Sequence, residues 1–204
     1  MIIQLTTKIR NSVTGLTKRW GPSGLKRELW DKEYAAGKWS HCENTKADPI
    51  YSYIEKYCRN GSILDLGCGS GNTSNELAFD SYREYVGIDI SEVAIQQAAA
   101  RSAKNGRLKT NRYQQSDVLS YVPNQRHNVI LFRDSLHNIP RPRIKSALDR
   151  YRQFLTADGV LIARLSGDDC RDFKEIARLI ESNYWVIDRY TGLDSRGVIT
   201  LLFN

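Results

Sequence analysis

Ile63-Leu64-Asp65-Leu66-Gly67-Cys68-Gly69-Ser70-Gly71 decides how this chain is read. The apolar run reads as a buried strand, and glycines at alternate positions turn it at once into a helix. Such a turn accepts positive φ and lets the backbone approach a ligand closely. The free N–H groups at the start of the next helix then face an anionic or polar group. The stretch is therefore a nucleotide-like site. A dinucleotide fingerprint has its third glycine three residues after the second, but that position is Asn72 and the third glycine is Gly71. Asp65, in the approach to the turn, repels a pyrophosphate and suits a ligand that carries an ammonium group.

Three further elements follow in order. Tyr85 to Ile90 is a short apolar run ending in Asp89, followed by Ser91 as a helix N-cap and a helix over Glu92 to Lys104. A carboxylate at that strand end can accept hydrogen bonds from vicinal ribose hydroxyls. Tyr113 to Val118 carries Asp117, and Asn128 to His137 is a strand that runs into a polar loop. An Asp after a strand also serves as a cap or turn former, so it is the order of the four elements that carries weight.

Together these elements resemble the class I S-adenosylmethionine (SAM) dependent methyltransferases of the small-molecule type, over about residues 60 to 204. The resemblance implies a Rossmann-like α/β fold, with a seven-stranded mostly parallel sheet, helices on both faces and a C-terminal antiparallel hairpin. It implies SAM as cofactor, held by Asp65, Gly67, Cys68, Gly69 and Gly71, by Asp89 and Ile90 at the ribose, and by Asp117 and Val118 at the adenine. The small Cys68 side chain is read as structural and not as a nucleophile. Arg133 pairs either with a ligand or with a structural carboxylate. His137 is the first choice for a general base, since its ordinary pKa of about 6.5 is near working pH. Asp134 is the second choice, and Asn138 is placed to orient an acceptor.

Alternating strand and helix signals continue to the chain end, as expected of a parallel sheet covered on both faces. The pattern predicts a helix over Arg143 to Leu155 after Pro140-Arg141-Pro142, and a turn at Ala157-Asp158-Gly159, where the family commonly has Pro-Gly-Gly. A strand follows over Val160 to Leu165, then a helix over Asp172 to Glu181. Strands over Tyr184 to Tyr190 and Gly197 to Phe203 close the chain, joined through Asp194-Ser195-Arg196-Gly197.

Ahead of the glycine loop, Trp30 and Tyr34 share a helix face at i and i+4, and Gly37 ends that helix before Trp39. The resemblance makes this segment a lid, with Trp30, Tyr34, Trp39 and His41 on the substrate side. The chain is thus read as one domain with a basic arm (1–28), a helical lid (29–60) and a SAM-binding core (61–204).

With 204 residues and a net charge of +7, the chain has the size of a single α/β unit. Residues 1–27 hold six Lys and Arg and no acidic residue, so most of the net charge lies there. Ile2, Leu5, Ile9, Val13, Leu16 and Trp20 recur at helical spacing. Three readings stay open: a basic amphipathic element on an anionic membrane surface, a transit peptide, or a helix docked on its own domain or on a partner subunit with solvated lysines outside. Four cysteines without a CxxC pair, and three scattered histidines, do not form a metal site. Reduced thiols fit a cytoplasmic setting. No apolar run approaches the roughly 20 residues that span a bilayer. The Arg133-Asp134-Ser135 loop lacks the Asn-Pro-Pro-Tyr pattern of nucleobase N-methylation. The leading function is methyl transfer to an oxygen or nitrogen of a small molecule, with a sugar or related bacterial metabolite suggested by a loose likeness of the loops. The alternatives are a nucleic-acid-associated methyltransferase that uses the basic arm, and a non-catalytic partner subunit.

Overall fold

The structure, a computed structural model, describes residues 13–43, 45–166, 170–192 and 198–204. Helix α1 runs through residues 13–20, followed by α2 (Ser23–Ala35), a 3-10 turn (Ser40–Cys42) and α3 (Ile50–Cys58). The core then alternates: β1 (Ser62–Leu66), α4 (Asn72–Glu76), β2 (Glu84–Asp89), α5 (Glu92–Lys104), β3 (Asn111–Gln115) and β4 (His127–Arg133). A 3-10 turn (Leu136–Asn138), α6 (Arg141–Arg152), β5 (Leu155–Ser166), α7 (Cys170–Asn183), β6 (Val186–Thr191) and β7 (Val198–Phe203) complete it.

The seven strands order as β3-β2-β1-β4-β5-β7-β6. β1 to β5 are parallel, and β7 runs antiparallel between β5 and β6. This is the seven-stranded, mostly parallel sheet with a closing antiparallel pair that the resemblance implies. The period-2 alternation of strand side chains divides the core in two. Leu64, Leu66, Ile88, Ile130, Phe132, Leu161 and Ala163 pack on one face with α6 and α7. Ile63, Tyr85, Val129, Leu131, Val160 and Ile162 pack on the other with Ile50 and Ile54 of α3. Strand order reverses between β1 and β4, and ligands gather at the carboxyl ends of strands flanking such a switch point. The glycine loop leaves β1 there, and the Asp134–Ile139 loop leaves β4 beside it.

Several boundaries differ from the sequence reading. The helix after the glycine loop, α4, is only five residues long. Pro142 does not block α6 but sits in its first turn, where a missing N–H costs nothing, so the helix begins at Arg141 and ends at Arg152. Ala157-Asp158-Gly159 is not a turn before a strand. It belongs to β5, which starts at Leu155 and bulges, since Leu155 pairs with His127 while Val160 pairs with Val129. Helix α7 extends past both ends of the expected span. The Asp194–Gly197 connection, and Ile2, Leu5 and Ile9 of the arm, lie outside the described residues.

The described part of the arm inverts the docked-helix expectation. Val13, Leu16 and Trp20 are exposed, while Lys18 and Lys26 are buried. The lysines turn inward because carboxylates await them there: Glu33 for Lys18 and Asp117 for Lys26.

Candidate active site

A cavity of about 650 Å³ opens at the switch point, within the usual span of ligand sites. Its floor is the glycine loop. Gly67, Gly69 and Gly71 have φ of 90°, 53° and 73°, the left-handed region that L side chains rarely adopt. A Cβ at Gly69 would lie 2.7 Å from the Tyr34 hydroxyl, so the lid rests directly on the loop there. A Cβ at Gly71 would lie 2.8 Å from Ala98 Cβ. Gly71 therefore seats the loop on α5 and does not line the cavity.

Two acidic residues at the strand ends differ in role. Asp65 is buried beneath the loop, outside the cavity lining, where the Tyr85 hydroxyl donates to its Oδ2 and its Oδ1 has no partner among the described residues. Burial pushes its pKa up to about 6. Asp89 lines the cavity and accepts the Gly69 N–H on Oδ2 and the Ser91 N–H on Oδ1, both at 2.9 Å. Burial pushes it up to about 6 as well, against the N–H donors, which favour the charged form. Ser91 caps α5 through Ala94 N (3.1 Å) as its sequence predicts. It is bound in turn by Asp31 of α2, which accepts from Ser91 Oγ at 2.7 Å and Val93 N at 3.2 Å.

Ile90, Asp117 and Val118 continue the wall. Asp117 accepts from Lys26 Nζ (2.6 Å) and Ser23 Oγ (2.8 Å) on Oδ2, and from Leu119 N (2.9 Å) on Oδ1. Burial works to raise its pKa, but these donors hold it below the ordinary carboxylate value. Cys68 is a buried free thiol lining the cavity, its pKa pushed far up by burial, which makes it inert as a nucleophile.

The roof comes from α2 and the segment after it. Trp30, Tyr34 and Trp39 cluster with ring centroids 5.4 to 6.4 Å apart, and His41 lies 6.0 Å from Trp39. All four line the cavity. The far wall holds the polar residues of β4 and β5. Arg133 donates to Tyr51 Oη (2.8 Å) and Thr45 Oγ1 (2.7 Å), and pairs with Asp48 at 3.4 Å. Arg133 thus has its structural carboxylate while still facing the cavity. Asp48 also pairs with Arg164 Nε at 2.8 Å. Asp134, in the left-handed region at φ 53°, is held by Arg164 on Oδ2 and by Ser166 Oγ (2.8 Å) on Oδ1. With both oxygens engaged it is poorly placed to take a proton. His137 is different: its Nδ1 is buried with no partner among the described residues, and its ring meets Phe173 edge-on at 5.6 Å. Burial holds its pKa below the ordinary value, so the imidazole is neutral near pH 7 and able to accept a proton. Asn138 lies beside it on the lining.

Sequence reasoning missed Lys18, Lys26, Asp31, Asp48 and Arg164. Charged residues in a basic arm, or near a helix start, carry no local signal of which partner they will meet across the fold. Among the described residues no group of His, Cys, Asp and Glu converges as a metal site, and no helix is long and apolar enough to cross a membrane.

Comparison with known proteins follows the same lines. The family model for the methyltransferase domain matches residues 63–159. Burkholderia thailandensis 1,6-didemethyltoxoflavin-N1-methyltransferase, solved with 1,6-didemethyltoxoflavin and S-adenosylhomocysteine, aligns with a TM-score of 0.71 at 16% identity, covering 87% of this chain and 85% of that one. The N-methyltransferase NodS of Bradyrhizobium japonicum, solved with S-adenosylhomocysteine, aligns with a TM-score of 0.65 at 15% identity, covering 81% and 90%. At these identities the likeness is one of fold. A curated relative, an mRNA cap guanine-N(7) methyltransferase of Debaryomyces hansenii, is 46% identical over 43 residues, which span 21% of this chain and only 8% of that protein. Residues 63–159 are thus similar to a methyltransferase domain, and the fold around them is that of solved methyltransferases.

Proposed function

We propose that this protein transfers a methyl group from SAM to an oxygen or nitrogen of a small molecule, with a sugar or related metabolite as the acceptor class. The observation that carries the reading is the glycine loop, whose Gly67 and Gly69 line the cavity and whose Gly69 N–H is tied to Asp89. The residues fit the cofactor. Asp89 would take the ribose hydroxyls, the backbone of Val118 would take the adenine edge beside Asp117, whose oxygens Lys26, Ser23 and the Leu119 N–H already engage, and Gly67 and Gly69 would face the amino-acid end. Asp65 supports the loop from below and supplies negative potential without touching a ligand.

When bound, SAM supplies an electrophilic methyl carbon on a sulfonium sulfur. The chain does the rest by positioning and exclusion of water. The lid aromatics cover the reacting centre, Asn138 orients the acceptor, and His137 removes its proton where the acceptor has one to lose. A small acceptor is supported by the way α2 lies over the cavity, fastened to Asp117 by Lys26 and to Ser91 by Asp31.

Calorimetric titration with SAM and S-adenosylhomocysteine tests the reading. The wild-type protein binds both at micromolar concentration, and Gly69→Arg, which drives a long side chain into the lid contact, binds neither. Equal binding by the variant would show the pocket to be elsewhere. A second reading, RNA methylation, is favoured by the short match to the cap methyltransferase and by the basic arm. It requires RNA binding that falls steeply with salt, so the absence of such binding at low salt removes it.

A further inference from the structure

The lid segment builds a receptor for a cation. Glu33 on α2 accepts the indole N–H of Trp39 at 3.0 Å, and the Trp30 and Trp39 rings stand 5.4 Å apart beside it. Into this space α1 inserts the ammonium of Lys18. The Nζ lies 3.6 Å from the centroid of the Trp30 ring and 5.4 Å from that of Trp39, and it is paired with the Glu33 carboxylate. The side chains of Lys18 and Glu33 are 10% and 15% exposed. A carboxylate flanked by two indole faces suits an onium ion, because the negative faces of the rings and the anion act on the same charge with little competing water. The Glu33–Trp39 bond and the ring pair come from one continuous segment, residues 30–39, so the box is complete without Lys18. Lys38 also holds Glu33, at 2.8 Å, so the carboxylate keeps a partner when Lys18 leaves.

Position matters as much as chemistry. Trp30, Trp39 and Lys18 all line the cavity. Tyr34, 6.3 Å from Trp30, touches the glycine loop at Gly69. His137 lines the same cavity. The box therefore shares that cavity with the glycine loop and the histidine. We propose that the Trp30–Glu33–Trp39 box is a ligand subsite for an onium group, ammonium or more highly alkylated, and that Lys18 fills it as a tethered stand-in until the ligand arrives. The inference rests on the methyltransferase reading for what lies beside the box, and on the box geometry alone for its charge preference. The group it holds is an anchor and not the nucleophile, since a carboxylate and two π faces favour the charged amine, whose lone pair is occupied by a proton or a carbon. Two ligands could present such a group: an ammonium-bearing acceptor, or the cofactor through its own cationic end.

The test uses the full chain with tetramethylammonium chloride as probe and 2,2-dimethylpropanol as a neutral molecule of similar shape. Binding is followed by the indole N–H signals of Trp30 and Trp39. Lys18→Met keeps the apolar stem and removes the ammonium. It is expected to bind tetramethylammonium at least tenfold more tightly than wild type and at least tenfold more tightly than the neutral alcohol. Adding Glu33→Gln to that variant is expected to lose most of the preference. Equal affinity for charged and neutral probes, or no gain on removing Lys18, overturns the proposal. Lys18→Gln repeats the comparison if the methionine variant fails to fold. Saturating S-adenosylhomocysteine then separates the two sources: a probe that stays bound marks an acceptor subsite, and a probe that is displaced marks the cofactor's cationic end. S-adenosylhomocysteine binding without cation preference refutes the box alone. Cation preference without S-adenosylhomocysteine binding refutes the methyltransferase reading and leaves the box standing.

Discussion

Acidification should weaken cofactor binding through Asp89, and the structure sets the size of the effect. Asp89 is 7% exposed and burial raises its pKa from 3.8 to about 6. That rise corresponds to about 3 kcal/mol held against the ionised form in the free protein. For stability the sign is that of a group whose folded pKa lies above its unfolded one. The cost is fully present above about pH 6 and is relieved as pH falls toward 4. For binding the sign is opposite, because ribose hydroxyls donate to the carboxylate and not to the acid. If only the ionised form binds, apparent Kd rises with the protonated fraction, by about 1.1-fold at pH 7 and about 11-fold at pH 5. Calorimetric titration with S-adenosylhomocysteine from pH 5 to 8 measures it. Asp89→Asn is the control. Asp65, which burial raises to a similar value, and the ligand's own groups titrate in both proteins, so they cancel in the ratio of the two dissociation constants. A ratio that stays constant across that range would refute the assignment of Asp89 to the ribose.

Gly71→Ala meets both a left-handed φ of 73° and a Cβ contact of 2.8 Å with Ala98, so it should cost about 2–4 kcal/mol in denaturant unfolding; an unchanged midpoint would contradict the loop packing. His127 is buried in β4 with its pKa pushed down to about 4, chiefly by burial. Its stability contribution is complete above pH 6.5 and is lost as pH falls to about 4, a loss of about 3 kcal/mol. His127→Gln should flatten that part of the pH–stability curve, and an unaltered curve would point to another group. His137→Ala should leave S-adenosylhomocysteine affinity within about twofold and lower kcat by about 10²- to 10⁴-fold, whereas full turnover would remove it as the base.

The fold was legible because its signals are local. A strand running into alternating glycines, Ser91 ahead of a helix-forming run, and carboxylates at successive strand ends each announce themselves within ten residues. The cavity wall that we assign to the cofactor is lined by the same segments. What stayed hidden depends on distant pairing. Lys18 and Lys26 look like solvated charges in a basic arm, and only the fold shows that Glu33 and Asp117 turn them inward. Asp134 looked like a spare base until Arg164 and Ser166, some thirty residues on, were seen to occupy its oxygens. The bulge in β5 reads as a turn in the sequence because Ala157-Asp158-Gly159 has turn chemistry, and the pairings of Leu155 before it and Val160 after it keep it within the strand. The exposed stripe of Val13, Leu16 and Trp20 shows how an amphipathic pattern identifies two faces without telling which of them the protein will bury.

The position of β7 bears on how the molecule is made. It follows β6 in sequence yet lies between β6 and β5, and all six of its residues are buried. A ribosome releases β5 and β6 before the strand that must join them. In that interval β5 presents an unpaired apolar edge, and β6 has no place in the sheet. Such edges are templates for association with other chains. The β6 side of the sheet is thus completed only through β7, so a chaperone that shields the β5 edge should influence yield more than any substitution at the cavity.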